Sequence, residues 1–123
     1  MHQHLLMSFF FRNFVAEMHT RDMTTREIAN MISARVHQNE PTAKVMLFGS
    51  RARGTARPDS DWDVIILLDD NSKTNKWDAA VPLYNLSWEI DELINPIVYT
   101  QSDWEKRSFT PFYKNVMHDG IEL

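Results

Sequence analysis

The chain has no cysteine among its 123 residues. Disulfide staples and thiolate metal sites are therefore excluded, and a reducing compartment such as the cytoplasm is the expected location. It also lacks an apolar run near the roughly 20 residues that a membrane-spanning helix needs. Its densest apolar stretch, Leu5-Leu6-Met7-Ser8-Phe9-Phe10-Phe11, has neither the basic start nor the small-residue cleavage site of a secretory leader. No basic excess is present. Thirteen Lys and Arg stand against seventeen Asp and Glu, for a net charge of −4, which argues against a dedicated nucleic-acid surface. The histidines (His2, His4, His19, His37 and His118) show no metal-ligand spacing and are expected at the surface. Glycine is scarcer still. Of only three, Gly49 and Gly54 fall in one short segment, so backbone freedom is concentrated where a turn must come close to something.

That segment reads Phe48-Gly49-Ser50-Arg51-Ala52-Arg53-Gly54. Ten residues separate Ser50 from Asp61-Trp62-Asp63, which leads into the apolar run Val64-Ile65-Ile66-Leu67-Leu68. Residues i and i+2 of a strand share a face, so Asp61 and Asp63 project together, within reach of one divalent cation or a pair. Arg51, Arg53 and Arg57 form a local positive patch with no acid before Asp59, which suits a small polyanion such as a nucleoside triphosphate. Each feature has a plainer reading. A bare Asp-x-Asp is usually an exposed strand start, the glycines punctuate turns, and arginines often line a solvated face. A Walker-type phosphate loop is rejected, because Thr55 rather than lysine follows Gly54.

At this length the chain is expected to be one domain of α/β (α+β) class. Thr24-x-x-Glu27 reads as a capping box, with Ile28, Met31, Ile32 and Val36 at helical spacing, so a helix is expected over 24–38, ended by Pro41. A strand over 44–48 and a short helix within 49–54 follow. The unbroken apolar half of the next strand, 61–68, predicts a central, doubly buried position. Trp77, Val81, Tyr84 and Trp88 predict a helix over 77–92, with Pro82 in its first turn or kinking it. Pro96 marks a strand over 94–99 as an edge or a bulge. Ser102-x-x-Glu105 is expected to cap a short helix, and Thr110-Pro111 to start another that Gly120 ends. Trp62, Trp77, Trp88 and Trp104 are all expected in the core. The order α-β-α-β-α-β-α gives a small sandwich of helices on a short mixed sheet. Residues 1–22 are expected to be an N-terminal extension or amphipathic helix, outside a domain spanning 23–123. A pattern starting near Met23 also agrees with a start codon set too far upstream.

Gly-Ser, ten intervening residues and Asp-x-Asp resembles the signature of the DNA polymerase beta nucleotidyltransferase superfamily. The segment Leu47 to Gly54 is similar to its minimal nucleotidyltransferase branch, in which the catalytic domain stands alone, often encoded beside a helical HEPN-domain toxin. The resemblance covers about residues 24–123 and is most specific over 45–69. It implies a nucleotidyltransferase fold and a Mg2+-dependent transfer of a nucleoside monophosphate, AMP from ATP foremost, to a hydroxyl acceptor. It further implies a two-metal site on the catalytic residues Asp61 and Asp63, and nucleotide binding by Gly49, Ser50, Arg51, Arg53 and Ser60. Without the extra helical domain of larger relatives, a protein acceptor such as a HEPN-type toxin fits better than a small one. Association as a homo- or hetero-oligomer is left open. Asn95 departs from the pattern: it stands at the third ligand position, where active members usually carry a carboxylate. An amide is a weaker metal ligand and cannot take a proton. Glu89, Asp91 and Glu92 lie nearby, on the preceding helix. The alternative function is a catalytically degenerate nucleotide-binding antitoxin that acts by contact.

Overall fold

Thr24 opens the first helix, α1 (Thr25–Asn39), and its hydroxyl accepts a hydrogen bond from the Glu27 N–H at 3.1 Å, as the capping box requires. The computed structural model describes residues 23–123. The extension or helix expected over 1–22 lies outside the described residues. After α1 come β1 (Lys44–Phe48), a single-turn helix α2 (Ser50–Arg53), β2 (Trp62–Leu68), α3 (Lys76–Ile90) and β3 (Ile94–Thr100). They are followed by α4 (Gln101–Glu105), α5 (Pro111–Asp119) and β4 (Ile121–Glu122). The sheet order is β3-β2-β1-β4. β1 runs antiparallel to β2 and β4, whereas β2 and β3 are parallel, so the sheet is mixed.

Strand alternation sorts the core into two layers. Val64, Ile66 and Leu68 of β2 meet Ile28, Ile32 and Val36 of α1 and Leu83, Leu86 and Ile90 of α3. Ile65 and Leu67 face the other way, toward Trp104 and Val116, with Ile97 and Tyr99 of β3 beside them. β2 is buried on both sides and central, as its apolar run predicts. Burying each large aliphatic side chain of this layer contributes about 1.5–3 kcal/mol. Pro96 lies on the edge strand opposite Val64, in a register that runs unbroken from Trp62↔Ile94 to Leu68↔Thr100, so the edge reading holds and no bulge forms.

Four local expectations are corrected. α3 starts at Lys76, capped by Asn75, which places Pro82 inside the helix rather than in its first turn. The helix also stops at Ile90, because Asp91 turns left-handed with φ 54°. The cap of α4 is Thr100, which accepts from the Asp103 N–H at 3.1 Å, rather than Ser102. Trp62 and Trp104 are buried, but Trp77 and Trp88 are not: they are 66% and 67% exposed. α3 is apolar on both faces. Its Ala79, Ala80, Leu83, Leu86 and Ile90 stripe takes the core, which leaves Trp77, Tyr84 and Trp88 outside. Finally, β4 was not expected. Gly120 ends α5 as read, but Ile121 and Glu122 then pair with Leu47 and Met46. Among the described residues no helix is long and apolar enough to cross a membrane.

Candidate active site at the ends of three strands

The site forms where β1 ends and β2 and β3 begin. Phe48, the last residue of β1, pairs with Asp63, and Asp63 pairs with Asn95 on the other side. Pairing in register puts their side chains on one face, the face of Ile65, Leu67 and Ile97. Gly49 follows with φ 74° and ψ −156°, a backbone region essentially reserved for glycine. A Cβ there would collide with Asp63 Oδ2, so the missing side chain is what lets the turn close over the carboxylate. The Gly49 carbonyl then accepts from the Ala52 and Arg53 N–H groups at 3.1 Å, and Gly54 ends the turn at φ 78°.

Asp61, Asp63 and Asn95 converge. The Asn95 amide donates to Asp61 Oδ2 at 2.9 Å. Partial burial and the neighbouring Asp61 charge push the Asp63 carboxyl above the usual aspartate range, against the opposing pull of the Asn95 hydrogen bond and the Arg53 charge. Two carboxylates crowded on one face are the arrangement that a hard divalent cation relieves. Their oxygens, with backbone opened by Gly49, fit Mg2+. Among the described residues no group of three or more His, Cys, Asp or Glu side chains comes together, so a third carboxylate is absent from this cluster.

The two arginines of the motif part ways. Arg53 is half-exposed, lies 3.8 Å from Asp119 and faces Asp63. Arg51 instead runs to the Trp62 side of the sheet. It donates to the Ser60 carbonyl at 2.8 Å and the Pro58 carbonyl at 3.3 Å, and its guanidinium sits 4.4 Å from the Trp62 ring centre. Glu92 completes that anchor, 4.0 Å from Arg51 and accepting from Trp62 Nε1 at 3.3 Å. The Ser60 hydroxyl accepts from the Arg57 N–H at 2.8 Å, which closes the turn ahead of Asp61. Ser50 opens α2 directly after Gly49, and its carbonyl accepts from the Thr55 N–H at 3.1 Å. Glu89 pairs with Arg35 on α1, so neither Glu89 nor Glu92 stands in for a third carboxylate.

Beside Gly49 and Arg53 lies a cleft of about 190 Å³, also lined by Phe48, Phe112, Asn115, Val116 and Asp119. Larger hollows of about 380 and 570 Å³ both border Arg51, on the side away from the carboxylates. The site is thus an open shelf rather than a deep cavity.

The sequence matches the nucleotidyltransferase domain family over residues 29–116. The chain belongs to that family. This nucleotidyltransferase is similar to a Methanocaldococcus jannaschii protein that bears the provisional name of protein adenylyltransferase. The two are 34% identical over 83 residues, 65% of this chain and 77% of the relative. A crystal structure of a toxin-antitoxin with AMP-PNP shares the fold at TM-score 0.56 and 21% identity, over 76% of this chain and 69% of that one. A provisionally named nucleotidyltransferase of Sulfolobus solfataricus does so at TM-score 0.50 and 24% identity, over 78% and 76%. In this nucleotidyltransferase the Phe112, Asn115 and Asp119 wall of the cleft escaped the sequence reading. It is contributed by α5, far along the chain, and no local motif marks it.

Proposed function

We propose that this nucleotidyltransferase transfers a nucleoside monophosphate, AMP from ATP foremost, to a hydroxyl of a partner protein. The observation that carries the reading is the closure of Gly49 over Asp63, with the Asp61 carboxylate beside it, at the open end of the sheet. In the transfer the acceptor oxygen bonds the α-phosphorus, the bond from that phosphorus to the pyrophosphate oxygen breaks, and pyrophosphate leaves. The acceptor proton goes to solvent, since an amide at position 95 cannot take it. Asp61 and Asp63 would hold Mg2+. When bound, the cation offsets triphosphate charge and polarises phosphoryl oxygens. Gly49 and Ser50 let backbone approach the phosphates. Arg53 is the arginine positioned to meet their charge, while Arg51 and Ser60 shape the loop that delivers Asp61.

Several observations favour a protein acceptor in this reading. The 190 Å³ cleft is too small to enclose a nucleotide and a second substrate together. The M. jannaschii relative is named for protein adenylylation, and one structural neighbour is a toxin-antitoxin assembly. The exposed Trp77, Tyr84 and Trp88 stripe offers the apolar surface that a protein partner needs. By resemblance that partner is a HEPN-type toxin, this chain is its antitoxin, and both work in the cytoplasm. The test is incubation with labelled ATP, Mg2+ and the product of the adjacent gene. Absence of label on the partner with any of the four nucleotides rejects transfer.

Asn95 favours a second reading, in which the chain binds nucleotide and neutralises its partner by contact. Toxin neutralisation by the Asp61→Ala/Asp63→Ala double variant separates the two. Full protection by that variant supports contact alone, and lost protection with an intact fold supports transfer.

A further inference from the structure

Resting on the nucleotide-and-cation reading above, we propose that the site takes one divalent cation per chain alongside the nucleotide, not two, and that the want of a carboxylate at position 95 sets this number. A two-metal clamp places two dications about 3.5–4 Å apart. They repel each other roughly four times as strongly as two unit charges at that distance, so bridging anionic ligands must compensate. Among the described residues, Asp61 and Asp63 are the carboxylates available for that purpose. Among the described residues no third acidic, histidine or cysteine side chain joins them. Asp119 is engaged 3.8 Å from Arg53, whose own charge reaches Asp63 and opposes further cations.

The geometry of Asn95 adds a second obstacle. Its amide hydrogens point at the carboxylate pair: Nδ2 donates to Asp61 Oδ2 at 2.9 Å. That bond occupies a lone pair that a second cation would need. Turning the amide over would present its oxygen as a neutral ligand, but it would lose that bond and press the oxygen against the Asp61 carboxylate. The strand register holds Asn95 there, since the β2–β3 pairing runs unbroken through Asp63↔Asn95. One cation is easily accommodated. Asp61, Asp63, triphosphate oxygens and water would supply the oxygen ligands that one Mg2+ takes. Asn95 therefore tethers the carboxylate pair when no cation is bound and brings no charge for a second cation when one is.

Electron paramagnetic resonance of Mn2+ tests this with the full-length chain and a non-transferable ATP analogue. Wild type should show an isolated, protein-bound Mn2+ signal. The Asn95→Asp variant, which adds the missing charge, should show the spin-coupled signal of a close Mn2+ pair. Asn95→Ala removes the tether without adding charge and should keep the isolated signal. A coupled pair in wild type or in Asn95→Ala overturns the inference and leaves the nucleotide-and-cation reading standing. An isolated signal in a folded Asn95→Asp variant overturns it too. No bound Mn2+ in any of the three chains overturns both the inference and the function on which it rests.

Discussion

Replacing Gly49 by alanine tests the construction of the site more sharply than removing a carboxylate. At φ 74° and ψ −156°, a non-glycine residue carries about 1–3 kcal/mol of backbone strain. The added Cβ also collides with Asp63 Oδ2, so the Asp63 side chain must shift to make room. Accommodating the overlap at this open shelf adds about 1 kcal/mol, the low end for overpacking. Together the two effects predict a loss of about 2–4 kcal/mol. At roughly 4 °C per kcal/mol for a domain near this size, Tm should fall by on the order of 8–16 °C. Gly54 is the internal control. It too has a positive φ, 78°, but nothing lies within 4 Å of its would-be Cβ. Gly54→Ala should therefore cost strain alone, about 1 kcal/mol, or roughly 4 °C. Differential scanning calorimetry of both variants, with and without Mg2+ and ATP, reads out stability and ligand-induced stabilisation together. Gly49→Ala should lose the ligand-induced rise and Gly54→Ala should keep it. Equal drops in Tm, with both variants retaining the rise, would refute the claim that Gly49 is there to admit the carboxylate.

Asp63→Asn should raise the Tm of the metal-free protein at neutral pH. The folded-state pKa of Asp63 lies above its unfolded value, so its contribution to stability is present at low pH and lost as pH rises through the folded-state pKa. Melts across pH 3 to 8 should show the variant's advantage shrinking on the acid side. Asp70 is the opposite case. Its carboxylate accepts from the Ser102 N–H at 3.0 Å, which lowers its pKa, so the stability it adds disappears as pH falls through that lowered value. Asp70→Asn should be less stable than wild type at neutral pH and equal to it in strong acid, as followed by circular dichroism. On α3, Leu83→Ala should cost about 2–5 kcal/mol in urea titrations, because that side chain is fully buried. Trp77→Ser should stay within about 0.5 kcal/mol of wild type yet weaken capture of the partner protein in a pull-down.

Where a residue's role is decided by its immediate neighbours in sequence, it could be read directly. Thr24 with Glu27, the Gly49 turn, the doubly buried β2 and the edge placement of Pro96 all follow from local rules. α3 shows where such rules fail. Trp77, Val81, Tyr84 and Trp88 form one helical stripe, while Ala79, Ala80, Leu83, Leu86 and Ile90 form another, and periodicity cannot say which stripe meets the sheet. Size does not decide it either: the smaller side chains let α3 pack closely, and the bulkier set is left outside. The arginines were ambiguous for a related reason. Arg51 and Arg53 sit two apart on a single helical turn and so point to different sides. The Trp62–Glu92 pair that claims Arg51 assembles only when the end of α3 reaches the start of β2. β4 is two residues long, too short to carry any pattern, and exists because Leu47 and Met46 offer it a ladder.

The two borders of the sheet bear on how this protein can associate. An uncovered strand invites a neighbour to add itself by main-chain hydrogen bonding, the route of strand donation and of fibrous aggregation. Among the described residues, one border is β3, where Pro96 interrupts the row of N–H donors. The other is the two-residue stub of β4, which offers almost no template. Neither side can be extended by a long, regular strand. Stable association is therefore directed to side-chain contacts on helix surfaces, and the sheet is protected from polymerising through its own backbone.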